Sequence, residues 1–389
     1  MIKQDIPKIR FYSYQGAWTE NRIADIVKIS AGGDVDKERL KESGKYPVIA
    51  NALTNKGIVG FYDDYKVKAP AVTVTGRGDV GYAVARHENF TPIVRLLTLQ
   101  SENIDVDYLE NQINSMRILN ESTGVPQLTA PQLGNYKVYH PGIEEQSAIG
   151  SLFRTLDELL ASYKDNLASY QSLKATMLSK MFPKAGQTVP EIRLDGFEGE
   201  WEMNKLNKYL TVSKKKNNQQ KFGKEDVLSV SGEVGIVNQI QFQGRSFAGV
   251  SVEMYSIVDT GNIVYTKSPL KANPYGIIKT NYGIPGIVST LYAVYLPNEN
   301  VFPGFIERYF ENDLRLNSYL KPLVNKGAKN DMKVSDENAL LGNVIFPKLE
   351  EQVAISDYFT NLDKFIQSHK DKISQLETLK KKLLQDMFI

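Results

Sequence analysis

The 389-residue chain contains no cysteine. That excludes a disulfide scaffold, a thiol nucleophile and any zinc site built on thiolates. Histidine is almost as scarce. His87, His140 and His369 are the only three and stand far apart in the sequence, which leaves little for imidazole catalysis or a histidine-based metal centre. No window approaches the roughly 18 uninterrupted apolar residues of a membrane-spanning helix, and the opening MIKQDIPKIR has no apolar signal-peptide core. The expectation is a cytoplasmic protein with no membrane partner. Charge of one sign is lacking as well: 47 basic against 45 acidic residues leave a net +2. This argues against a histone-like basic coat but leaves room for local patches. The hydrophobic fraction of 42% is that of a soluble globular protein, and the length suggests two or three domains.

Catalytic signatures are missing or fragmentary. There is no G-x-x-x-x-G-K-[ST] phosphate loop, hence no sign of an ATP-driven motor. Gly76-Arg77-Gly78-Asp79-Val80-Gly81 formally contains G-x-G-x-x-G, but it lies between two strand-like runs instead of opening a helix, which argues against a dinucleotide fold. Asn273-Pro274-Tyr275 is close to the N-P-P-[YF] motif of amino-methyltransferases but lacks the second proline. No glycine-rich methyl-donor loop precedes it, so it reads as a turn. Asp63-Asp64 and Glu225-Asp226 have none of the partners of a metal nuclease and read as solvated surface. The chain therefore reads as a binding protein that is not itself an enzyme and holds no catalytic residue, metal or cofactor of its own.

What the sequence does contain is an internal repeat. Ile6-Pro7-Lys8-Ile9-Arg10 recurs as Val189-Pro190-Glu191-Ile192-Arg193, and each proline is followed after 11 residues by a tryptophan, Trp18 and Trp201, the only two in the chain. The block Pro141-Gly142-Ile143-Glu144-Glu145-Gln146 recurs as Pro347-Lys348-Leu349-Glu350-Glu351-Gln352, now at an offset of 206, and stays in register to the end. Phe153 aligns with Phe359, Leu156-Asp157 with Leu362-Asp363, Leu173-Lys174 with Leu379-Lys380 and Met181-Phe182 with Met387-Phe388. The offset grows from 183 to 206, so the second variable region is 23 residues longer.

Each unit thus has a short shared start, a divergent middle and a shared helical end. The middles carry short β-branched or aromatic runs bounded by Gly, Pro and Asn. In the first these are residues 48–50, 58–62, 71–75 and 82–85, and in the second 234–237, 263–266, 287–290 and 292–296. Helices are expected over Leu109–Ile118 and Phe305–Leu323. Only Gly57-Ile58-Val59 and Gly235-Ile236-Val237 hint at structure common to both middles.

The shared ends read as long amphipathic helices. Apolar rungs fall at Phe153, Leu156, Leu160, Tyr163, Leu167, Tyr170, Leu173, Met177 and Met181, and again at Phe359, Leu362, Ile366, His369, Ile373, Leu376, Leu379, Leu383 and Met387. Steps of three and four make a narrow stripe suited to a coiled-coil seam. About 38 residues at 1.5 Å each give roughly 57 Å per helix. No other stripe matches, so the two helices are expected to pack on each other. Pseudo-two-fold symmetry would make them antiparallel and set the variable regions at opposite ends. The plainer alternative is a helical hairpin that serves only as core. His369 reads as a seam residue, not a ligand.

The fold class is α+β: two mixed α/β domains separated by two long helices in an antiparallel coiled coil. The expected boundaries are residues 1–142, a spacer helix at 143–183, a linker with the second domain at 184–347, and a closing helix at 348–389. The candidates for polyanion contact are basic and amide-rich turns. Ser213–Lys224 has five lysines (Lys214, Lys215, Lys216, Lys221 and Lys224), four side-chain amides and no acid; a plain solvated loop is the other reading. The first middle carries Lys37, Arg39, Lys41, Lys45, Lys56, Lys66, Lys68 and Arg77. Within it, Thr75-Gly76-Arg77-Gly78 is a tight turn that could aim a guanidinium at a guanine edge. Asn325-Lys326-Gly327-Ala328-Lys329-Asn330 is a similar turn in the second middle. The residues expected at DNA are Lys56, Thr75, Arg77, Lys214, Lys215, Lys216, Lys221, Lys326 and Lys329.

In combination these features resemble the specificity (S) subunit of type I restriction-modification enzymes. The resemblance rests on I-P-x-I-R with its tryptophan, on Val189–Trp201, on the P-x-x-x-E-Q-x-x-I block at Pro141 and its variant at Pro347, and on helices closing in Lys-Met-Phe and Asp-Met-Phe. Residues 71–81 are also like the target-recognition domains of that family. The first unit departs from the pattern at Tyr12-Ser13-Tyr14-Gln15-Gly16, where the second has Leu194-Asp195-Gly196-Phe197-Glu198-Gly199. The resemblance implies two target-recognition domains, each reading one half of a bipartite site on double-stranded DNA, with the helices fixing the unread gap. It implies two methyltransferase (M) subunits for N6-adenine methylation and two restriction (R) subunits. S-adenosylmethionine, ATP and Mg would belong to those partners. A coiled-coil scaffold that binds only proteins remains the alternative.

Overall fold

The computed structural model describes residues 6–116, 118, 127–267, 269–270, 272–324 and 334–389. It divides into two compact units: residues up to 166 together with 369–389, and residues 167–368. The helix Ile143–Lys180 and the helix Leu349–Asp386 are each 38 residues long, and each contributes a segment to both units.

In the first unit Ala71–Val74 lies inside a four-stranded antiparallel sheet, ordered Lys28–Ala31, Leu97–Gln100, Ala71–Val74, Ala83–Arg86. All four of its residues are buried, which explains the unbroken β-branched run. The helix Val106–Ser115 covers the sheet, with Leu109 and Ile113 packed among Val72, Val74, Leu97 and Leu99. It starts three residues before the expected position because Asp105 caps it, accepting a hydrogen bond of 3.0 Å from the Tyr108 N–H. A second sheet joins Tyr46–Ile49 to Ile58–Tyr62 antiparallel and to Thr91–Pro92 in parallel.

The second unit repeats this plan with different side chains. Its four-stranded sheet runs Leu210–Val212, Ala293–Pro297, Ile263–Tyr265, Ile278–Thr280, and the helix Pro303–Phe310 packs on it. The helix expected over 305–323 is in fact broken. Asn312 restarts it as Asp313–Leu320, its side chain accepting from the Arg315 N–H at 3.0 Å. The hairpins Tyr46–Tyr62 and Leu228–Asn238 correspond, so the Gly-Ile-Val triplets do mark common structure. Gly57 and Gly235 stand at φ +82° and +75°, a left-handed turn into the returning strand that favours glycine.

The two repeated sequence blocks are fastened to each other inside each unit. Arg10 donates to both carboxylate oxygens of Glu145, each at 2.7 Å, and to the Gly16 carbonyl at 2.5 Å. Arg193 does the same to Glu351, at 2.8 and 2.7 Å, and to the Gly199 carbonyl at 2.5 Å. The divergent loop after Arg10 therefore keeps the acceptor that its arginine needs. Gln146 and Gln352 donate to Pro141 and Pro347 carbonyls at 2.8 and 3.0 Å. Each variable region closes on a two-stranded ribbon, Thr19–Arg22 with Lys137–His140 and Glu202–Lys205 with Asn343–Phe346. Trp18 packs with Phe153 and Phe388, and Trp201 with Phe182 and Phe359.

The long helices pair antiparallel within each unit. In the first, Asp157 meets Lys380 at 2.5 Å, Lys164 meets Glu377 at 2.7 Å, and the Tyr163 and His369 rings lie 5.4 Å apart. In the second, Lys174 meets Asp363 at 2.6 Å and Tyr170 stacks on Phe365 at 5.9 Å. Phe153, Leu156, Leu160, Phe359, Leu362 and Ile366 are buried; Tyr163, Leu167, Tyr170, His369, Ile373 and Leu376 are half-buried. Two expected rungs are corrected. Leu173 and Leu379 are 37% and 45% exposed. The regular step of four and three after Tyr170 lands on Lys174, and on Lys380 in the other helix. These lysines lay their apolar stems along the seam and place the ammonium on an aspartate.

Candidate nucleic-acid interface

The turn between Ala71–Val74 and Ala83–Arg86 is built on Thr75. Its N–H donates to the Tyr82 carbonyl at 3.0 Å, its hydroxyl accepts from the Tyr82 N–H at 2.9 Å, and the same hydroxyl donates to the Asp79 carbonyl. Thr75 is buried and holds the turn from inside; the side chains presented to solvent are Arg77, Asp79 and Tyr82. In the second unit Thr266 takes the same role. Its N–H donates to the Ile277 carbonyl at 3.0 Å and its hydroxyl accepts from the Ile277 N–H at 3.0 Å. The Asn273-Pro274-Tyr275 segment lies in this longer counterpart of the Arg77 turn. The sequence does not reveal the match because the two turns differ in length and share only the threonine and a left-handed glycine before its partner, Gly81 and Gly276.

Lys56 occupies the tip of the first unit's hairpin and is exposed. Asn55 and Lys56 both adopt left-handed conformations, at φ 48° and 50°. The buried Arg86 fixes them by donating to the Lys56 carbonyl at 2.7 Å and to the Thr73 hydroxyl at 2.9 Å. Burial lowers the Arg86 guanidinium to a pKa of about 10, with nearby Glu110 opposing the shift.

A further basic residue, missed in the sequence, is Arg95. Val94 and Arg95 adopt φ 52° and 57°; for a β-branched valine this is a strained conformation. The backbone enforces it: Val94 N–H donates to the Gly33 carbonyl at 2.8 Å and Arg95 N–H to the Gly32 carbonyl at 3.0 Å. Arg95 is exposed, and no hydrogen bond or ion pair holds its guanidinium among the described residues. Nothing in the string Ile93-Val94-Arg95-Leu96 signals a turn, since its usual markers are absent.

In the second unit the 213–224 run is an ordered loop centred on buried Asn217, whose amide donates to the Phe222 carbonyl at 2.8 Å and the Val252 carbonyl at 3.3 Å. Lys214 and Lys221 are exposed. Lys215 pairs with Asp259 at 3.1 Å, and half-buried Lys216 donates to the Ser256 hydroxyl at 2.9 Å. The run therefore presents fewer unengaged charges than its composition suggests. Lys326 and Lys329 lie outside the described residues.

Among the described residues no group of three or more His, Cys, Asp or Glu is placed to hold a metal ion, and no helix is long and apolar enough to cross a membrane. One carboxyl is strongly perturbed. Glu110 is raised to about 7, first by burial and then by the nearby Asp157 charge, with Lys380 opposing. Its ordinary value is 4.5. The folded chain therefore binds the proton more tightly than the unfolded chain, so this group's contribution is fully present below about pH 4.5 and lost as pH rises through about 7. We expect Glu110→Gln to be more stable than the parent at pH 8 by on the order of 1–2 kcal/mol, allowing for partial exposure. The gain should shrink towards pH 5. Urea titrations of both proteins at the two pH values check this; a pH-independent difference would contradict it.

Residues 15–169 match the family described as the type I restriction modification DNA specificity domain. Two Mycoplasma pneumoniae (strain ATCC 29342 / M129 / Subtype 1) proteins named as type I specificity subunits are similar. One is 27% identical over 143 residues, 36% of this chain and 39% of that protein. The other is 25% identical over 164 residues, 40% of this chain and 54% of that protein. The matches thus span about half or less of each relative's length. In fold, the whole chain is similar to the crystal structure of the S subunit of a type I restriction-modification system from M. genitalium. The TM-score is 0.65 and the identity 16%, with 99% of each chain covered.

Proposed function

We propose that this chain, which carries a type I restriction-modification DNA specificity domain at residues 15–169, is the non-catalytic, sequence-reading subunit of a type I restriction-modification complex. Each unit reads one half of a bipartite double-stranded DNA site, and the paired helices set the unread gap. Two methyltransferase subunits then methylate adenine at N6 and two restriction subunits cleave. S-adenosylmethionine, ATP and Mg belong to those partners, and the complex works in the cytoplasm.

The observation that carries this reading is one frame with two unlike turns. Thr75 and Thr266 close their turns with the same backbone and hydroxyl hydrogen bonds to Tyr82 and Ile277, yet the first presents Arg77 within residues 75–82 and the second a longer, different loop within 266–277. A shared frame with dissimilar tips is what two half-sites of different sequence require. Arginine at a tip suits bidentate contact with guanine O6 and N7.

The test is a gel-shift titration of the chain assembled with methyltransferase subunits, across a salt series, on duplexes carrying or lacking the methylated site. Specific binding that weakens steeply with salt supports the reading. No DNA binding at any salt would favour a scaffold that holds only proteins. Arg77→Ala should cost about 1–3 kcal/mol of discrimination at one base pair of the first half-site and leave the second half-site intact. Equal binding to the correct and the substituted base by both proteins would remove Arg77 from the reading surface.

A further inference from the structure

We infer that Asn51 is a positioning residue that latches three basic loop tips of the first unit into one reading surface, and that Arg95 reads bases beside Arg77 on that surface. This deepens the DNA-reading function proposed above and rests on it.

The three tips come from separate parts of the chain: the hairpin tip with Lys56, the Thr75-anchored turn with Arg77, and the strained turn with Arg95. A single side chain joins them. The Asn51 Oδ1 accepts from the Gly76 N–H at 2.7 Å, and its Nδ2 donates to the Val94 carbonyl at 2.7 Å. Each of these bonds ends one residue before an arginine. Only a side chain that both accepts and donates can satisfy an N–H on one loop and a carbonyl on another. Space at the junction is fixed too. A Cβ on Gly76 would lie 2.9 Å from the Leu128 carbonyl oxygen and 3.2 Å from that of Arg95, so the two turns are in backbone contact there.

The energetics also point to function. Four non-glycine residues on these tips, Asn55, Lys56, Val94 and Arg95, are held at φ between 48° and 57°. Such conformations persist only where the surroundings enforce them. Here Arg86 holds the hairpin tip through the Lys56 carbonyl, and the Gly32 and Gly33 carbonyls together with Asn51 hold Val94 and Arg95. Strain spent on the tips presents exposed Lys56, Arg77 and Arg95 from fixed backbones, which is the preorganisation that base reading needs.

The experiment measures base preference at every position of both half-sites by sequencing the methylated DNA of cells that carry the chain with its methyltransferase subunit. Asn51→Ala should lower discrimination at the first half-site at least tenfold while the second half-site stays unchanged, an internal control that the chain folds and assembles. Asn51→Asp keeps the acceptor for Gly76 but has no donor for Val94. It should retain the preference lost in Arg77→Ala and lose the one lost in Arg95→Ala. The inference is overturned if Asn51→Ala keeps full discrimination, or if it relaxes both half-sites alike with a lowered melting temperature. It is equally overturned if Arg95→Ala changes no base preference. Absence of any sequence-specific methylation by the parent chain would instead defeat the proposed function itself.

Discussion

Deleting residues 160–166 and 366–372 together should shorten the unread gap by up to about three base pairs and leave both half-site sequences unchanged. Seven residues at 1.5 Å remove roughly 10.5 Å of rod, and base pairs rise about 3.4 Å each. The deleted segments are equivalent in the two repeats. The Asp157–Lys380 pair of the first unit and the Lys174–Asp363 pair of the second both lie outside them, so each unit keeps one ion pair between its helices, while the Lys164–Glu377 pair and the Tyr163–His369 contact are removed. A whole heptad also preserves the seam's face. Removing either segment alone is the control. It offsets one helix against the other by the same 10.5 Å, so the two ion pairs can no longer form together, and methylation should fall sharply. Sequencing methylated sites reads both outcomes. An unchanged gap in the double deletion would mean that the helices are not the ruler.

The second large effect concerns the latch between the repeated blocks. Arg193→Met should destabilise the second unit by about 3–5 kcal/mol. The Glu351 side chain is 4% exposed and takes both its charged hydrogen bonds from Arg193. Removing the arginine leaves a carboxylate out of water without a partner, which is costlier than losing the pair itself. The double variant Arg193→Met with Glu351→Leu should therefore recover most of the loss, because both charges leave together. Urea unfolding of the three proteins measures this, and a loss below about 1 kcal/mol in the single variant would show the pair to be dispensable. Arg10 and Glu145 should behave alike, since their geometry is the same.

These two cases show why the repeat could be read so far. Its repeated letters are those that fasten unit to helix: arginine, the paired glutamate and tryptophan each have a partner in the other conserved block, and glutamine ties the helix start to its own proline and to the variable region. The helical stripe was legible for the same reason, except where charge entered it. Leu173 looked like a rung because it is apolar, yet Lys174 holds the seam position, its partner Asp363 being 189 residues away. The edge ribbons Thr19–Arg22 and Glu202–Lys205 were silent because most of their residues are exposed and carry no apolar alternation.

The basic loop tips, proposed above to read DNA, were the least legible part. Thr75 looked like a contact residue because the turn is polar, but burial makes it the turn's internal anchor. Arg95 carried no signal because its left-handed backbone is imposed by Gly32 and Gly33, some 60 residues earlier in the chain. The lysine run at 213–224 looked more available than it is, because the acceptors Ser256 and Asp259 come from a distant strand region. Composition shows which residues could touch a polyanion, while only the fold shows which are already engaged.

The central claim is that one chain holds two different readers at a set spacing. Its most direct test is the methylome of a host expressing this chain with its methyltransferase subunit. The account predicts one motif made of two unlike half-sites around a gap of constant length, with Arg77→Ala altering the first half only. A single contiguous motif, or a change in both halves from that one substitution, would contradict it.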